Sequence, residues 1–223
     1  MNIAAYQEIL QKISKNVQLI AVSKTKSESE ILQAYELGQR HFGENHALEV
    51  KQKFDHLPKD ICWHFIGHLQ TNKIKYIIPF VYLIHSIDSA KLLAEVNKYA
   101  AKNQRVVRCL LQFHIATEHT KFGFTLEECE KMLQDPTFLS WKNVEIVGVM
   151  GMASLTKDTI QIHQEFKHLK DIFTILKNKY FVSQSSFKEL SMGMTEDYPI
   201  AIDEGSTMIR VGSAIFGERN YDK

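Results

Sequence analysis

QLIAVSKTKSESEILQAYELGQRHFG, residues 18–43, contains one complete strand–helix–strand unit, and the fold follows from how often that unit recurs. The run Gln18–Ser23 is nearly continuous in apolar character, as expected of a strand covered on both faces. Ser27 is placed to cap a helix, with Glu28 and Glu30 in its first turn. Ile31, Ala34, Tyr35 and Leu37 then recur at helical spacing until Gly38 stops it. Arg40–Gly43 reads as the next strand. Further strand-like runs follow at Cys62–Ile66, Val81–His85, Arg105–Phe113, Val144–Met150, Glu189–Ser191 and Thr207–Val211. Helical patterns occupy Ser89–Ala101, Thr125–Leu133, Thr156–Leu176 and Glu196–Glu204, and an extra helix near Ile3–Ile13 precedes them all. Strand and helix thus alternate about eight times. Parallel strands need crossover connections, and helical ones make the βαβ unit. The pattern predicts an α/β fold, a (β/α)8 TIM barrel formed by residues 1–223 as a single domain. A doubly wound six-stranded sheet is the competing arrangement.

Composition narrows the function classes. The 223 residues are 44% apolar and 24% charged, which is ordinary globular usage. The 27 basic and 26 acidic side chains leave a net charge of +1, without the basic excess of a dedicated nucleic-acid binder. Cys62, Cys109 and Cys129 are widely and irregularly spaced with no C-x-x-C pair, so they read as reduced, partly buried small side chains. The N-terminal MNIAAYQEILQKISK interrupts its apolar residues with Gln and Glu and is no signal peptide. The longest apolar run, Ile77–Ile84, contains Pro79 and is too short to cross a membrane. The chain reads as cytoplasmic, with neither nucleic acid nor membrane as a partner.

In a barrel, chemistry belongs where strands end and βα loops begin. Lys24 closes the apolar run Leu19–Val22 at such an end. A lysine partly withdrawn from water there can present the neutral amine that attacks an aldehyde, helped by the like charge of Lys26. A solvated lysine ending a strand explains the same position. Arg210-x-Gly212-Ser213 follows the last strand, where barrels often bind phosphate, and Ser191-x-Gly193 follows the strand before it. Plain turns account for each loop taken singly. Gly148-Val149-Met150-Gly151-Met152 ends a strand with small and flexible residues, which leave room for a flat ring or simply pack as core and turn. No metal site is expected, since H-E-x-x-H is absent. The His64/His68 pair straddles Gly67 and His163/His168 are five apart. G-x-S-x-G is absent too.

Taken in order, AVSKTK (21–26), FGEN (42–45), WHFIGHLQTNK (63–73), HTKFGF (119–124), GVMGM (148–152) and ELSMGMTEDYPIAIDEGSTMIRVGSAIFGERNY (189–221) resemble the pyridoxal 5′-phosphate homeostasis proteins. The resemblance runs the length of the chain and implies a barrel related to the N-terminal domain of alanine racemase, with pyridoxal 5′-phosphate at its mouth. By that resemblance Lys24 is the lysine that holds the cofactor as a Schiff base. Ser191, Gly212 and Ser213 match the phosphate-binding positions, and Arg210 the arginine facing the pyridine nitrogen. Asn45, His64 or Gly67, and Met152 match the pocket wall around the ring.

An arginine cannot take a proton from the pyridine nitrogen, so the ring is a weaker electron sink than one paired with a carboxylate. Such a site suits holding and passing on an aldehyde. About a dozen residues follow the last predicted strand, too few for the further β-domain of racemases, so the expectation is a carrier and regulator of the cofactor without turnover. Recipients are implied to be apoenzymes that use pyridoxal phosphate, and the protein is implied to be a monomer or weak dimer. A weak amino-acid racemase is the alternative, and a cofactor-free aldolase using Lys24 a third. Departures from the family pattern are Ser27 for proline, Thr195 for serine, His114 for asparagine and Thr120 for serine.

Overall fold

The computed structural model describes residues 1–117 and 122–217; Thr120, Lys121 and the last residues of the resemblance lie outside that range. Eight strands run β1 (Gln18–Val22), β2 (His41–Glu44), β3 (Cys62–Phe65), β4 (Leu83–Ile87), β5 (Val107–Gln112), β6 (Val144–Met150), β7 (Glu189–Ser191) and β8 (Met208–Val211). Each pairs in parallel with the next, and β8 pairs back onto β1 with Ile20 opposite Arg210, so the sheet closes into a barrel. The doubly wound alternative is excluded. Helices interleave as α1 (Ile3–Lys12), α2 (Glu28–Glu36), α3 (Ala47–His56), α4 (Ile74–Ile77), α5 (Ala90–Lys102), α6 (Leu126–Gln134), α7 (Pro136–Leu139), α8 (Thr159–Lys179), α9 (Tyr198–Asp203) and α10 (Ser213–Phe216).

Strand positions alternate between two cores, as the pleat requires. Leu19, Ala21, Ile209 and Val211 pack outward into the large helix–sheet core, whereas Ile20, Leu83, Leu110, Val147 and Met208 form a small cluster inside the barrel. Ser27 caps α2 as expected. Its hydroxyl accepts from the Glu30 N–H while the Glu30 carboxylate reaches back to the Ser27 N–H. Thr125 and Glu128 repeat the arrangement on α6.

Some boundaries differ from the sequence reading. The long helix begins at Thr159, because Asp158 accepts from the N–H groups of Ile160 and Gln161 and fixes the start there. It also runs on to Lys179. The last crossover helix is shorter than Glu196–Glu204, since Asp197 supplies its entry and Pro199 its first turn. Between β2 and β4 the sequence pattern gave no helix, yet α3 and the short α4 are there. Of the cysteines, Cys109 and Cys129 are buried and Cys62 is partly so, none paired. Burial raises the thiol of Cys129 to about 12, so it packs as a small apolar side chain. No helix among the described residues is long and apolar enough to cross a membrane.

Candidate functional site

A cavity of about 660 Å³ opens at the C-terminal ends of the strands. Six of the nine sequence-predicted site residues line it: Lys24, Asn45, Met152, Arg210, Gly212 and Ser213. They come from the loops after β1, β2 and β6, from β8, and from the start of α10. The barrel closure brings together residues nearly two hundred positions apart.

Lys24 sits on a tightly held turn. Thr25, the next residue, has φ +63°, a left-handed conformation that is unusual for a β-branched side chain. Two contacts, the first of them buried, hold the backbone on either side of Lys24. Lys53 Nζ donates to the Ser23 carbonyl at 2.8 Å, and the Thr25 N–H donates to Glu49 Oε1 at 2.6 Å. Lys53 is itself buried and donates to Glu44 Oε1 at 2.8 Å and Glu49 Oε1 at 2.7 Å, while Ser23 Oγ donates to Glu44 Oε1 at 2.6 Å. One ammonium thus ties together β1, β2 and α3 behind the lysine turn. Lys26 also lines the cavity, but its ammonium donates to the Phe216 carbonyl at 2.8 Å and lies 4.0 Å from Glu30.

Glu44 is fully enclosed, and its Oε2 has no hydrogen-bond partner. Burial, opposed by Lys53 and reinforced by Glu49, pushes its carboxyl up from 4.5 to about 7. The folded chain therefore holds a proton that the unfolded chain has released. Stability is fully present below pH 4.5 and declines as pH rises through about 7, by about 3 kcal/mol from this group. Glu44→Gln keeps an amide oxygen for Lys53 and Ser23 but removes the titration. Melting curves between pH 5 and 8 are expected to fall for the parent protein and to flatten for the variant; parallel curves would refute the assignment.

On the same cavity, at the end of the neighbouring strand β8, Thr195, Gly212 and Ser213 meet. The Ser213 hydroxyl lies 3.1 Å from Thr195 Oγ1, and the Gly212 N–H approaches the same oxygen at 3.4 Å. Gly212 lies tight against β1: a Cβ there would stand 3.1 Å from the Val22 Cβ and carbonyl oxygen. Two hydroxyls and a backbone N–H gathered at the wall can receive an anion. Thr195 was legible only as a substitution within the resemblance, yet it stands at the centre of this group.

Arg210 reaches the cavity from inside the barrel. It donates to Ser191 Oγ at 2.7 Å and to the Gly151 carbonyl at 3.1 Å. Burial lowers it to about 10, with Asp197 opposing that shift, so it stays a cation at neutral pH.

Three predicted site residues lie elsewhere. His64 faces the barrel interior below the cavity, fully buried, because the β3 alternation sends Trp63 and Phe65 outward and His64 in. Ser191 is also fully enclosed and away from the cavity wall, its hydroxyl engaged by Arg210 and His85. Gly67 borders a smaller neighbouring cavity of about 420 Å³ that Asn45 shares. A Cβ on Gly67 would come within 2.4 Å of the Asn45 carbonyl oxygen, so this glycine lets the two loops touch. Within GVMGM, Met150 belongs to the barrel interior and Met152 to the cavity, so the motif supplies both core and pocket.

Known proteins resemble the chain along nearly its whole length. The sequence model of the family described as alanine racemase, N-terminal domain, matches residues 2–220. A pyridoxal phosphate homeostasis protein of Aquifex aeolicus is 36% identical over 204 residues, 91% of this chain and 87% of that one. One of Synechocystis is 36% identical over 218 residues, 97% of this chain and 98% of its own. Among solved structures, PipY of Synechococcus elongatus without pyridoxal phosphate superposes with a TM-score of 0.89 at 33% identity. The same protein with pyridoxal phosphate bound gives 0.85 at 32%, and both matches cover 96% of this chain and 99% of PipY.

Proposed function

Because this chain belongs to the alanine racemase N-terminal domain family, and within it to the pyridoxal phosphate homeostasis proteins, we propose that it binds pyridoxal 5′-phosphate at the barrel mouth and serves cellular homeostasis of that cofactor without catalytic turnover. The observation that carries this reading is the placement of Lys24 and the Thr195–Gly212–Ser213 group on one cavity whose wall also holds a buried arginine.

The residues present fit such a group. Asn45 Oδ1 is buried at the cavity without a partner, an acceptor awaiting a donor. Gly212 seats closely on Val22, and its N–H, directed at Thr195 Oγ1, lies at the same wall. Bound there, the cofactor would supply a reactive aldehyde and an aromatic ring able to draw electrons. Lys24 is the residue to capture that aldehyde, Thr195, Gly212 and Ser213 to receive its phosphate, and Met152 and Asn45 to border the ring. Arg210, a cation with donors and no acceptor, could donate to a ring nitrogen but could not accept from a protonated one, so it would not favour the protonated, strongly electron-drawing ring. The site therefore suits retention and release of the aldehyde more than proton abstraction from a bound amino acid. Apoenzymes that need the cofactor are the natural recipients.

Turnover and carriage are separated by exchange at carbon. Protein loaded with pyridoxal phosphate and incubated with alanine in deuterated water is expected to incorporate α-deuterium no faster than the free cofactor does. Incorporation well above that background, lost in Lys24→Ala, would make the protein an enzyme.

A further inference from the structure

Inside the barrel, below the cavity, three imidazoles stand in a row. His41 Nδ1 lies 2.9 Å from His64 Nε2, His64 Nδ1 lies 2.8 Å from His85 Nε2, and His85 Nδ1 lies 2.9 Å from Ser191 Oγ. Arg210 Nη1 completes the row at 2.7 Å from the same oxygen. The positions are contributed by β2, β3, β4, β7 and β8, across the barrel interior. Parallel barrels ordinarily fill this space with branched apolar side chains, and Ile20, Leu83 and Val147 do so alongside. A polar row in a closed core is tolerated only if each member is satisfied.

We propose that His85 is a positioning residue for Arg210, acting through Ser191, and that the three histidines all carry their proton on Nε2. The direction of the row follows from its charged end. Arg210 can only donate, so Ser191 Oγ accepts from it and turns its own hydroxyl proton away. The acceptor within reach of that proton is His85 Nδ1, at 2.9 Å, which must then be bare. His85 consequently bears its proton on Nε2 and gives it to His64 Nδ1. His64 in turn gives its Nε2 proton to His41 Nδ1, and the last N–H falls on His41, the histidine of the three that reaches solvent. The reverse order would bring two donors onto Ser191 Oγ and strand its hydroxyl proton in the core, at a cost of roughly 1–3 kcal/mol. Desolvation of His64 and His85 keeps both rings neutral, as a chain of single donors and single acceptors demands.

The consequence reaches the cavity. With its proton committed to His85, Ser191 offers Arg210 lone pairs only, and with the Gly151 carbonyl it fixes the guanidinium at two points. Ser191 then works as the seat of Arg210 and not as a phosphate ligand.

The test compares His85→Asn with His85→Leu. Asparagine can place Oδ1 where Nδ1 was and keep an acceptor for Ser191, but it cannot reach His64. Leucine matches the apolar barrel lining and offers no acceptor. If the row were mere core filling, leucine would be the milder change. The proposal expects the opposite: in nitrogen-15 spectra of cofactor-free protein, Arg210 guanidinium rotation stays slow in the parent and in His85→Asn and speeds up in His85→Leu. Pyridoxal phosphate affinity, which rests on the reading above, should stay near parental in His85→Asn and fall about tenfold in His85→Leu, the size of one charged hydrogen bond. Should His85→Leu fail to fold, the unmodified protein still decides, because its imidazole nitrogen-15 shifts report the tautomers. Three Nε2–H rings support the row as drawn, and an Nδ1–H signal on His85 overturns it. Predicted tautomers in a protein that binds no pyridoxal phosphate would sink the cofactor reading and leave the row standing.

Discussion

Lys24→Ala is expected to abolish covalent capture of pyridoxal phosphate while leaving residual, reversible binding. The Thr195–Ser213 group proposed to receive phosphate and the Arg210 wall are formed by other elements, so the cavity persists when the amine is removed. The lost affinity should be at least about tenfold to a hundredfold, or roughly 1.4–2.8 kcal/mol, and the absorbance band of the covalent adduct should give way to that of the free aldehyde. Lys24→Arg should behave the same way, since a guanidinium stays protonated and cannot condense with an aldehyde. Lys26→Ala should not: although Lys26 borders the cavity, its ammonium is engaged with the Phe216 carbonyl. Titration of each variant with cofactor, followed by absorbance and by equilibrium dialysis, separates covalent from reversible binding. Unchanged absorbance in Lys24→Ala would contradict the assignment.

Lys53→Met is expected to be the most destabilising change near the site. Lys53 donates at once to Glu44, Glu49 and the Ser23 carbonyl, and Glu44 is fully buried. Removing the ammonium leaves the buried Glu44 carboxyl with the Ser23 hydroxyl alone as donor and the Ser23 carbonyl with the Lys26 N–H alone. Breaking one side of a buried ion pair costs about 3–5 kcal/mol, which for a chain of this length lowers the melting temperature by roughly 6–20 °C. The loss should depend on pH. Below pH 7 Glu44 carries a proton in the folded protein, so less uncompensated charge remains and the penalty shrinks; above it the full cost returns. Scanning calorimetry at pH 6 and pH 8 measures this directly, and equal losses at both would refute it. A second effect falls on function. With Lys53 gone, the turn loses the side-chain tie on the Ser23 carbonyl and keeps its backbone bonds and the Glu49 contact, so capture of aldehyde by Lys24 should slow even where the variant folds.

These two residues also show what the sequence could and could not disclose. The place of Lys24 at the barrel mouth was legible because it closes an apolar strand, whereas its role came from the resemblance alone, since a solvated lysine explains the same local signal. The strands as a whole were legible for the same reason: runs buried on both faces have few alternatives, and Val144–Met150 and Glu189–Ser191 were found at their observed limits. Lys53 was not legible. It stands four residues after Glu49 in a helix, a spacing that ordinarily marks a solvated surface pair, and only the packing of α3 against β1 and β2 buries it.

Depth within the barrel was hidden in the same way. Alternation along a strand says which side chains face inward but not how high in the barrel each stands. His64 and Ser191 face inward as the pocket reading required, yet they lie in the layer beneath it. The histidine row illustrates the point further, because His41, His64 and His85 belong to three strands whose mutual register no local pattern sets. The helices missed between β2 and β4 have a different cause. α4 is a single turn following a 3-10 segment, and α3 carries so many polar residues that its apolar positions Ala47 and Val50 give a faint stripe.

The central claim, that one lysine at the barrel mouth captures pyridoxal phosphate, is tested most directly by reducing the loaded protein with borohydride and mapping the modified peptide by mass spectrometry. The structure predicts a single stoichiometric adduct on Lys24, within the peptide spanning the end of β1 and the start of α2. An adduct spread over exposed lysines such as Lys75 and Lys98, or none at all, would contradict it.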